Sequence, residues 1–205
     1  ENFVVYPHGA AARRPGTTFV AEVANSANKT RLIPFEFSTT QTYMLEFSNL
    51  KMRVYKDRGS VLEGDKTISA ITKANPAVVT ATSHGYENGD EVVITAVGGM
   101  TEVNGKRFLV AGKTTNTFQL TNKDGANINS SSFTTYTSGG VSNKVFEITT
   151  PYTTAQLFDL KFAQSADVMY ITHPEHEVEK LSRTAHTAWT LTDVDFTNGP
   201  FMDAN

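Results

Sequence analysis

The sequence contains no cysteine. Disulfides, thiolate metal sites and cysteine nucleophiles are therefore excluded, and packing and hydrogen bonding alone must hold the fold, as suits a reducing cytoplasm. No apolar run approaches the roughly 20 residues that a membrane-spanning helix needs. The opening Glu1-Asn2-Phe3-Val4-Val5-Tyr6 also lacks the basic-then-apolar order of a signal peptide. Charge of one sign is not in excess: 18 basic and 21 acidic side chains are mixed along the chain, for a formal net charge of -3. We therefore expect no membrane insertion and no dedicated nucleic-acid footprint.

What is present favours strands. Of 205 residues, 39% are hydrophobic and 19% charged, enough for one large domain or two small ones with real cores. The 13 Phe and 7 Tyr, with recurrent Thr and Val, suit pleated, half-buried segments better than helices. Segments 3–6 and 19–23 are predicted as short strands on either side of turns at Pro7-His8-Gly9 and Arg13-Arg14-Pro15-Gly16. Segments 31–37, 43–47 and 52–55 form a predicted meander.

After Gly59 the texture turns to Thr, Asn, Ser and Gly, which predicts an inserted small β-barrel over residues 66–143. Its strand candidates are 77–81, 91–96, 106–110 and 117–121, with tight turns at Asn104-Gly105 and Asp124-Gly125. The first texture returns at Val145-Phe146-Glu147-Ile148, so residues 1–64 and 144–205 are predicted to form one β-rich outer domain, with the segments around 52–55 and 146–148 side by side. Thr153-Thr154-Ala155-Gln156 has capping-box spacing and predicts one short helix near residues 153–160. Residues 167–172, Lys180-Leu181 and 188–194 read as strands. The fold class expected is mostly β.

Patterns that carry chemistry are sparse. There is no Gly-x-Ser-x-Gly elbow, no Gly-rich phosphate loop and no His-Glu-x-x-His, so no catalytic residue, metal or cofactor is assigned. His173-Pro174-Glu175-His176 places two imidazoles three residues apart, but Pro174 opposes the helix that would align them, and it reads as a polar turn. Asp193-Val194-Asp195 with Asn198-Gly199 departs from the calcium-loop spacing and lacks the closing Glu. Glu175 and Glu177 read as solvated charges rather than a glycosidase pair. Arg13 and Arg14 are the one assigned contact candidate, for a partner subunit or for DNA; Phe158, Phe162 and Tyr170 read as core.

Several stretches resemble the nozzle, or tail tubular, proteins of short-tailed bacteriophages. They are Asn2-Phe3-Val4-Val5-Tyr6 leading to Arg13-Arg14-Pro15-Gly16-Thr17, then Arg31-Leu32-Ile33-Pro34-Phe35-Glu36-Phe37, Tyr152 through Asp159-Leu160, and Gln164-Ser165-Ala166-Asp167-Val168-Met169-Tyr170-Ile171-Thr172-His173-Pro174. His186-Thr187-Ala188-Trp189-Thr190-Leu191 extends the likeness. The resemblance implies a non-catalytic virion component, synthesised in the bacterial cytoplasm and incorporated in the tail, whose partners are copies of itself in a ring, adjacent tail proteins and, non-specifically, exiting DNA. It also implies that further chain flanks residues 1–205, and that this stretch alone stays largely monomeric in dilute solution.

The intervening His84-Gly85-Tyr86-Glu87-Asn88-Gly89-Asp90-Glu91-Val92, Gly99-Met100-Thr101-Glu102-Val103-Asn104-Gly105, Thr117-Phe118-Gln119-Leu120 and Tyr136-Thr137-Ser138-Gly139-Gly140 resemble the small barrel called the first catalytic cysteine half-domain of ubiquitin-activating enzymes. Thioester chemistry needs a cysteine that this chain lacks, so the barrel carries over and the activity does not. Two other functions remain open on the residues: a carbohydrate- or receptor-binding module at a tail tip, with Tyr86 and Tyr136 as the aromatic candidates, and, ranked last, a cell-wall hydrolase.

Overall fold

Side chains that alternate apolar and polar give each strand one face to bury, and short strands bury it by stacking sheet on sheet. The computed structural model describes residues 3–14, 16–38 and 41–196; Pro15 of the Arg-Arg-Pro-Gly turn and Asn198-Gly199 of the calcium-like pattern lie outside them. In chain order the described strands are β1 (Phe3–Val5), β2 (Ala11–Arg13), β3 (Arg31–Ser38), β4 (Gln41–Ser48), β5 (Lys51–Lys56), β6 (Gly59–Ser60), β7 (Lys66–Thr67), β8 (Ala70–Ile71) and β9 (Val78–Thr80). They continue with β10 (Glu91–Gly98), β11 (Lys106–Ala111), β12 (Thr117–Thr121), β13 (Ser138–Lys144), β14 (Glu147–Thr149), β15 (Lys161–Ser165), β16 (Val168–His173), β17 (His176–Ala185) and β18 (Ala188–Asp193). The chain is mostly β.

One sheet has the order β14-β5-β4-β3, with β6 against β5, so the meander is real and Ile148 pairs with Met52 across the gap left by the insert. A second sheet, β15-β16-β17-β18, is an antiparallel meander. Their inner faces make one core: Ile33, Phe35, Tyr43, Leu45 and Phe47 from the first meet Met169, Ile171, Leu181 and Trp189 from the second. Fully burying each such side chain stabilises by about 1.5–3 kcal/mol. Around Trp189 the rings of Phe35 and Tyr43 pack edge-on at 4.9 and 5.4 Å. Arg183 closes the rim, stacking over Phe37 at 4.0 Å and donating to Asp167 at 2.8 Å.

Residues 66–144 build a separate curled half-barrel sheet, β7-β13-β10-β11-β12-β9-β8. The single segment from β7 to β8 touches both of its edges: Ile68 N–H donates to Gly140 O and Ser69 N–H to Thr80 O, each at 2.9 Å. Val79, Val92, Ile94, Phe108, Phe118 and Leu120 fill its interior. The motifs that resemble the half-domain act here in folding. His84 Nδ1 accepts from Tyr86 N–H at 2.9 Å, and the Tyr86 hydroxyl donates to Ser142 O at 2.8 Å. Asn104 mimics a strand, accepting from Val97 N–H and donating to Val97 O at 2.8 and 2.9 Å. At Gly99, with φ +78°, an added Cβ would lie 2.1 Å from Thr135 O, so no other residue fits that turn.

Two local expectations fail. Residues 19–23 form no strand, because their backbone groups are taken by side chains: Lys123 Nζ donates to Glu22 O and Val23 O at 3.2 and 2.7 Å, and Ala24 N–H donates to Glu46 at 2.9 Å. Residues 153–160 form turns and not a helix. The cap contact exists, with Gln156 Oε1 accepting from Thr153 N–H at 2.9 Å. However, β15 begins at Lys161, and the Leu157 and Leu160 carbonyls accept from Arg31 at 2.9 and 2.8 Å. A helix of under two turns has too few internal bonds to compete.

Chain enters and leaves the curled sheet side by side: Leu62 bridges Val145, and Glu63 N–H donates to Lys144 O at 2.8 Å. Replacing residues 66–143 with a short Gly-rich turn is therefore expected to leave a soluble protein with a cooperative thermal transition. Calorimetry checks this, and a molten or aggregated product would show that the curled sheet is integral to the first core.

Candidate assembly surface

Where the curled sheet meets β5 and β14, the contact is ionic. Arg53 of β5 and Glu91 of β10 are 3% and 2% exposed, and Arg53 Nη1 donates to Glu91 Oε2 at 2.7 Å. Arg53 Nε also donates to Glu147 Oε2 at 3.1 Å, and Glu147 takes a second cation in Lys51. Glu91 is further paired with Arg107 at 3.2 Å and with Lys123 at 3.3 Å. Arg107 donates to Ser60 Oγ at 2.9 Å, returning the network to the first sheet. Burial pushes the Glu91 carboxyl up, but the charges of Arg53 and Lys123 and the hydrogen bonds from Arg53 and Arg107 outweigh it, leaving the carboxyl below its ordinary range. Arg53 is likewise opposed by burial, yet held more firmly protonated by Glu91 and Glu147.

Apolar surface is left uncovered elsewhere. The β1–β2 hairpin carries Phe3, Val4, Val5 and Tyr6, and Phe3 and Val5 are 65% and 72% exposed. Its register pairs Phe3 with Arg13 and Val5 with Ala11, so those four residues share one face. None of the hairpin residues belongs to either core. A lone two-stranded hairpin is marginally stable in water, so this one gains from a surface to lie on.

A second uncovered area is the outer face of the first sheet. Leu32, Pro34, Met44 and Tyr55 floor a recess of about 480 Å³, and Val20, Ala21 and Val23 of the 16–24 strap form its wall. Glu36, Asp57 and Arg58 lie at its edge. Glu46 is buried there, accepting from the Tyr55 hydroxyl and from Ala24 N–H. Asp57 and Arg58 make a two-residue hairpin turn with both φ values positive, the geometry that matches strand twist.

The residues singled out by sequence are dispersed. Arg13 and Arg14 are exposed and pair with no carboxylate among the described residues. Phe158, Phe162 and Tyr170 are exposed, not core, as the residue types had suggested. Period 2 explains Tyr170, because Met169 and Ile171 already point inward. Phe162 lies at the sheet margin with the Arg31 guanidinium 5.6 Å from its ring. Of the aromatic candidates for glycan contact, Tyr86 is buried and Tyr136 is half-buried with its hydroxyl donating to backbone carbonyls. His173 and His176 stand 5.3 Å apart, ring to ring, across the β16–β17 turn. There His173 Nδ1 accepts from Glu175 N–H at 3.1 Å, and His176 Nε2 lies 3.1 Å from Gln156 Oε1. The buried Arg53–Glu91 joint went unnoticed in the sequence; a charged residue opening an otherwise apolar strand, Glu91 before Val92-Val93-Ile94, was the available signal.

Residues 74–145 match the family model of the ubiquitin-activating enzyme E1 FCCH domain, about a third of the chain. Compared with curated proteins, the chain finds no match. The matched stretch covers the curled sheet from just before β9 through β13, including Glu91 and the His84, Asn104 and Gly99 contacts.

The joint generates a quantitative expectation. Glu91→Ala leaves Arg107 and Lys123 without their buried partner and should cost about 3–5 kcal/mol of stability. Arg53→Met combined with Glu91→Leu should cost clearly less than the sum of the single changes, since neither charge is then stranded. Urea titration of the unmodified chain, Glu91→Ala, the two single variants and the double variant measures both; strict additivity would show that the two side chains do not act as a pair.

Proposed function

We propose that the chain is a non-catalytic structural subunit of the lower tail, or nozzle, of a short-tailed bacteriophage, forming part of a ring through which DNA leaves. The observation that carries this reading is the amount of apolar side chain left in water on a rigid β scaffold: the hairpin and the outer face of the first sheet are surfaces of the kind that partners cover. The resemblance of residues 2–6 with 13–17, 31–37, 152–160, 164–174 and 186–191 to nozzle proteins supports it, and those stretches contribute to the hairpin, β3, the β15–β16 face and β18. Assembly by surface complementarity needs no bond chemistry, in keeping with a sequence that has no cysteine nucleophile and no phosphate-binding loop.

In this reading copies of the chain and adjacent tail proteins are the partners. Exposed Arg13 and Arg14 supply the non-specific attraction for exiting DNA or for an acidic neighbour. The virion tail is the location, reached after synthesis in the host cytoplasm.

One observation favours a second reading, a carbohydrate- or receptor-binding module. Phe158, 58% exposed, sits in an open recess with Asn28, Lys29, Thr154 and Asp159, an aromatic platform among hydrogen-bonding side chains. Calorimetric titration with host-surface glycan, repeated on Phe158→Ala, separates the two: binding lost in the variant would favour the module.

Antibody raised against residues 1–205 tests the main reading directly on virions of the encoding phage. Immunogold at the end of the tail is expected; gold on the capsid, or none on intact and detergent-opened particles alike, would contradict it.

A further inference from the structure

Two unpartnered apolar surfaces on one chain, a protruding hairpin and a recessed sheet face, are the two halves of a head-to-tail contact. We propose that the β1–β2 hairpin of one copy docks on the outer face of the first sheet of the next copy, in the recess between strand β4 and the 16–24 strap. The proposal rests on the structural-subunit reading and names the partner and the two surfaces that make it.

The hairpin face that carries Phe3 and Val5 also carries Arg13, by register. Residues 3–14 hold no acidic side chain, and Arg13 and Arg14 are both exposed. The recess offers the complement. Its floor is Leu32, Pro34 and Met44, with Leu32 exposed and Met44 partly so; the exposed carboxylate at its edge is Glu36, and Glu46 is buried beneath it. Of the lining cations, Lys56 is already paired with Asp57 at 3.1 Å, leaving Arg58 against exposed Glu36 and the buried charge of Glu46. Phe3 and Val5 laid on the apolar floor would therefore bring Arg13 within reach of the Glu36 carboxylate.

Protrusion and recess are different surfaces, so the contact is heterologous: it propagates from copy to copy and closes only when the subunit geometry forms a ring. It is also small. One face of a short hairpin falls well under the about 1,200 Å² buried in stable complexes, so the contact must be weak in dilute solution and effective only when repeated around a ring or reinforced by neighbours. That agrees with a chain expected to be monomeric at low concentration.

A heterologous contact can be tested by complementation. One variant lacks residues 1–14 and keeps the recess; the other keeps the hairpin and carries Leu32→Asp plus Met44→Arg. Circular dichroism and thermal melts first establish that both stay folded, as expected because the deleted hairpin belongs to neither core and Leu32 and Met44 lie on the outer face. Sedimentation equilibrium is then run across a concentration series. Each variant alone should remain at its own monomer mass, against 22.4 kDa for the unmodified chain. Their mixture should rise toward twice that mass and stop, whereas the unmodified chain should continue beyond a dimer. Adding Phe3→Asp and Val5→Asp to the hairpin-bearing partner should abolish the gain, and Arg13→Glu should weaken it at low salt.

A mixture that stays monomeric at the concentration where the unmodified chain associates would overturn the proposal, as would a chain monomeric at every concentration whose hairpin folds back on its own recess. Dimerisation of either variant alone would overturn it too, since the contact would then join like surfaces. Failure here with the chain still found in virion tails would leave the structural-subunit reading standing; successful pairing with no label on virions would sink that reading and keep the contact.

Discussion

The contact between Arg53 and Glu91 is the constraint on which the relation of the two cores depends. Each core is completed by its own apolar residues, so neither needs the other to bury its interior. What fixes the curled sheet against β5 and β14, beside the backbone pairing of Leu62 with Val145 and of Glu63 with Lys144, is a buried network in which every charge has an opposite. Such a network adds little net stability, because desolvation consumes most of the Coulomb gain. It is intolerant of misplacement, however, and a shift of the curled sheet by one strand position would strand Glu91 or Arg53 without a partner. The joint thus specifies geometry more than it adds stability.

With the two cores joined in this way, the surfaces left open acquire meaning. The hairpin and the outer sheet face lie on the same side of the sequence, within the first 58 residues, and are joined by a strap held in place by Lys123 from the curled sheet and by Glu46 from β4. Through Lys123 the strap is tied to the same network that holds the joint. The wall of the recess is therefore coupled to the seating of the curled sheet through Lys123.

Strands were legible where local composition favoured them. The runs around Ile33, Leu45, Val54, Ile94, Phe108 and Phe118 are short, rich in aromatic and branched residues and bounded by turn residues, and the pairing of β5 with β14 across the insert followed from a shared texture. The short strands β7 and β8 and the Gly-rich β13 were not legible, because Ser138-Gly139-Gly140 has the composition of a loop and becomes a strand only through pairing with β10. The capping signal at Thr153 was correct in its local contact and wrong in its consequence, since helix length is set by where the next strand begins. Reading Phe158, Phe162 and Tyr170 as core treated residue type as burial; the strand's parity decides which face a ring takes. Arg13 stood out in the sequence, but its sharing of a face with Phe3 is a matter of register that no local pattern encodes.

The central claim is that the buried ionic joint couples two otherwise self-sufficient cores. Glu91 is held below the ordinary carboxylate value, so the unfolded chain takes up that proton first. The joint's contribution is then complete at neutral pH and lost as pH falls through and below about 4. Urea unfolding followed by two reporters tests this. Trp189, the single tryptophan, sits in the first core, and hydrogen exchange of β10–β12 amides reports the curled sheet. The account predicts coincident transitions at pH 7 that separate in acid, and that are already separate at pH 7 in Glu91→Gln. Transitions that stay coincident in acid and in the variant would show that the cores are coupled by something other than this joint.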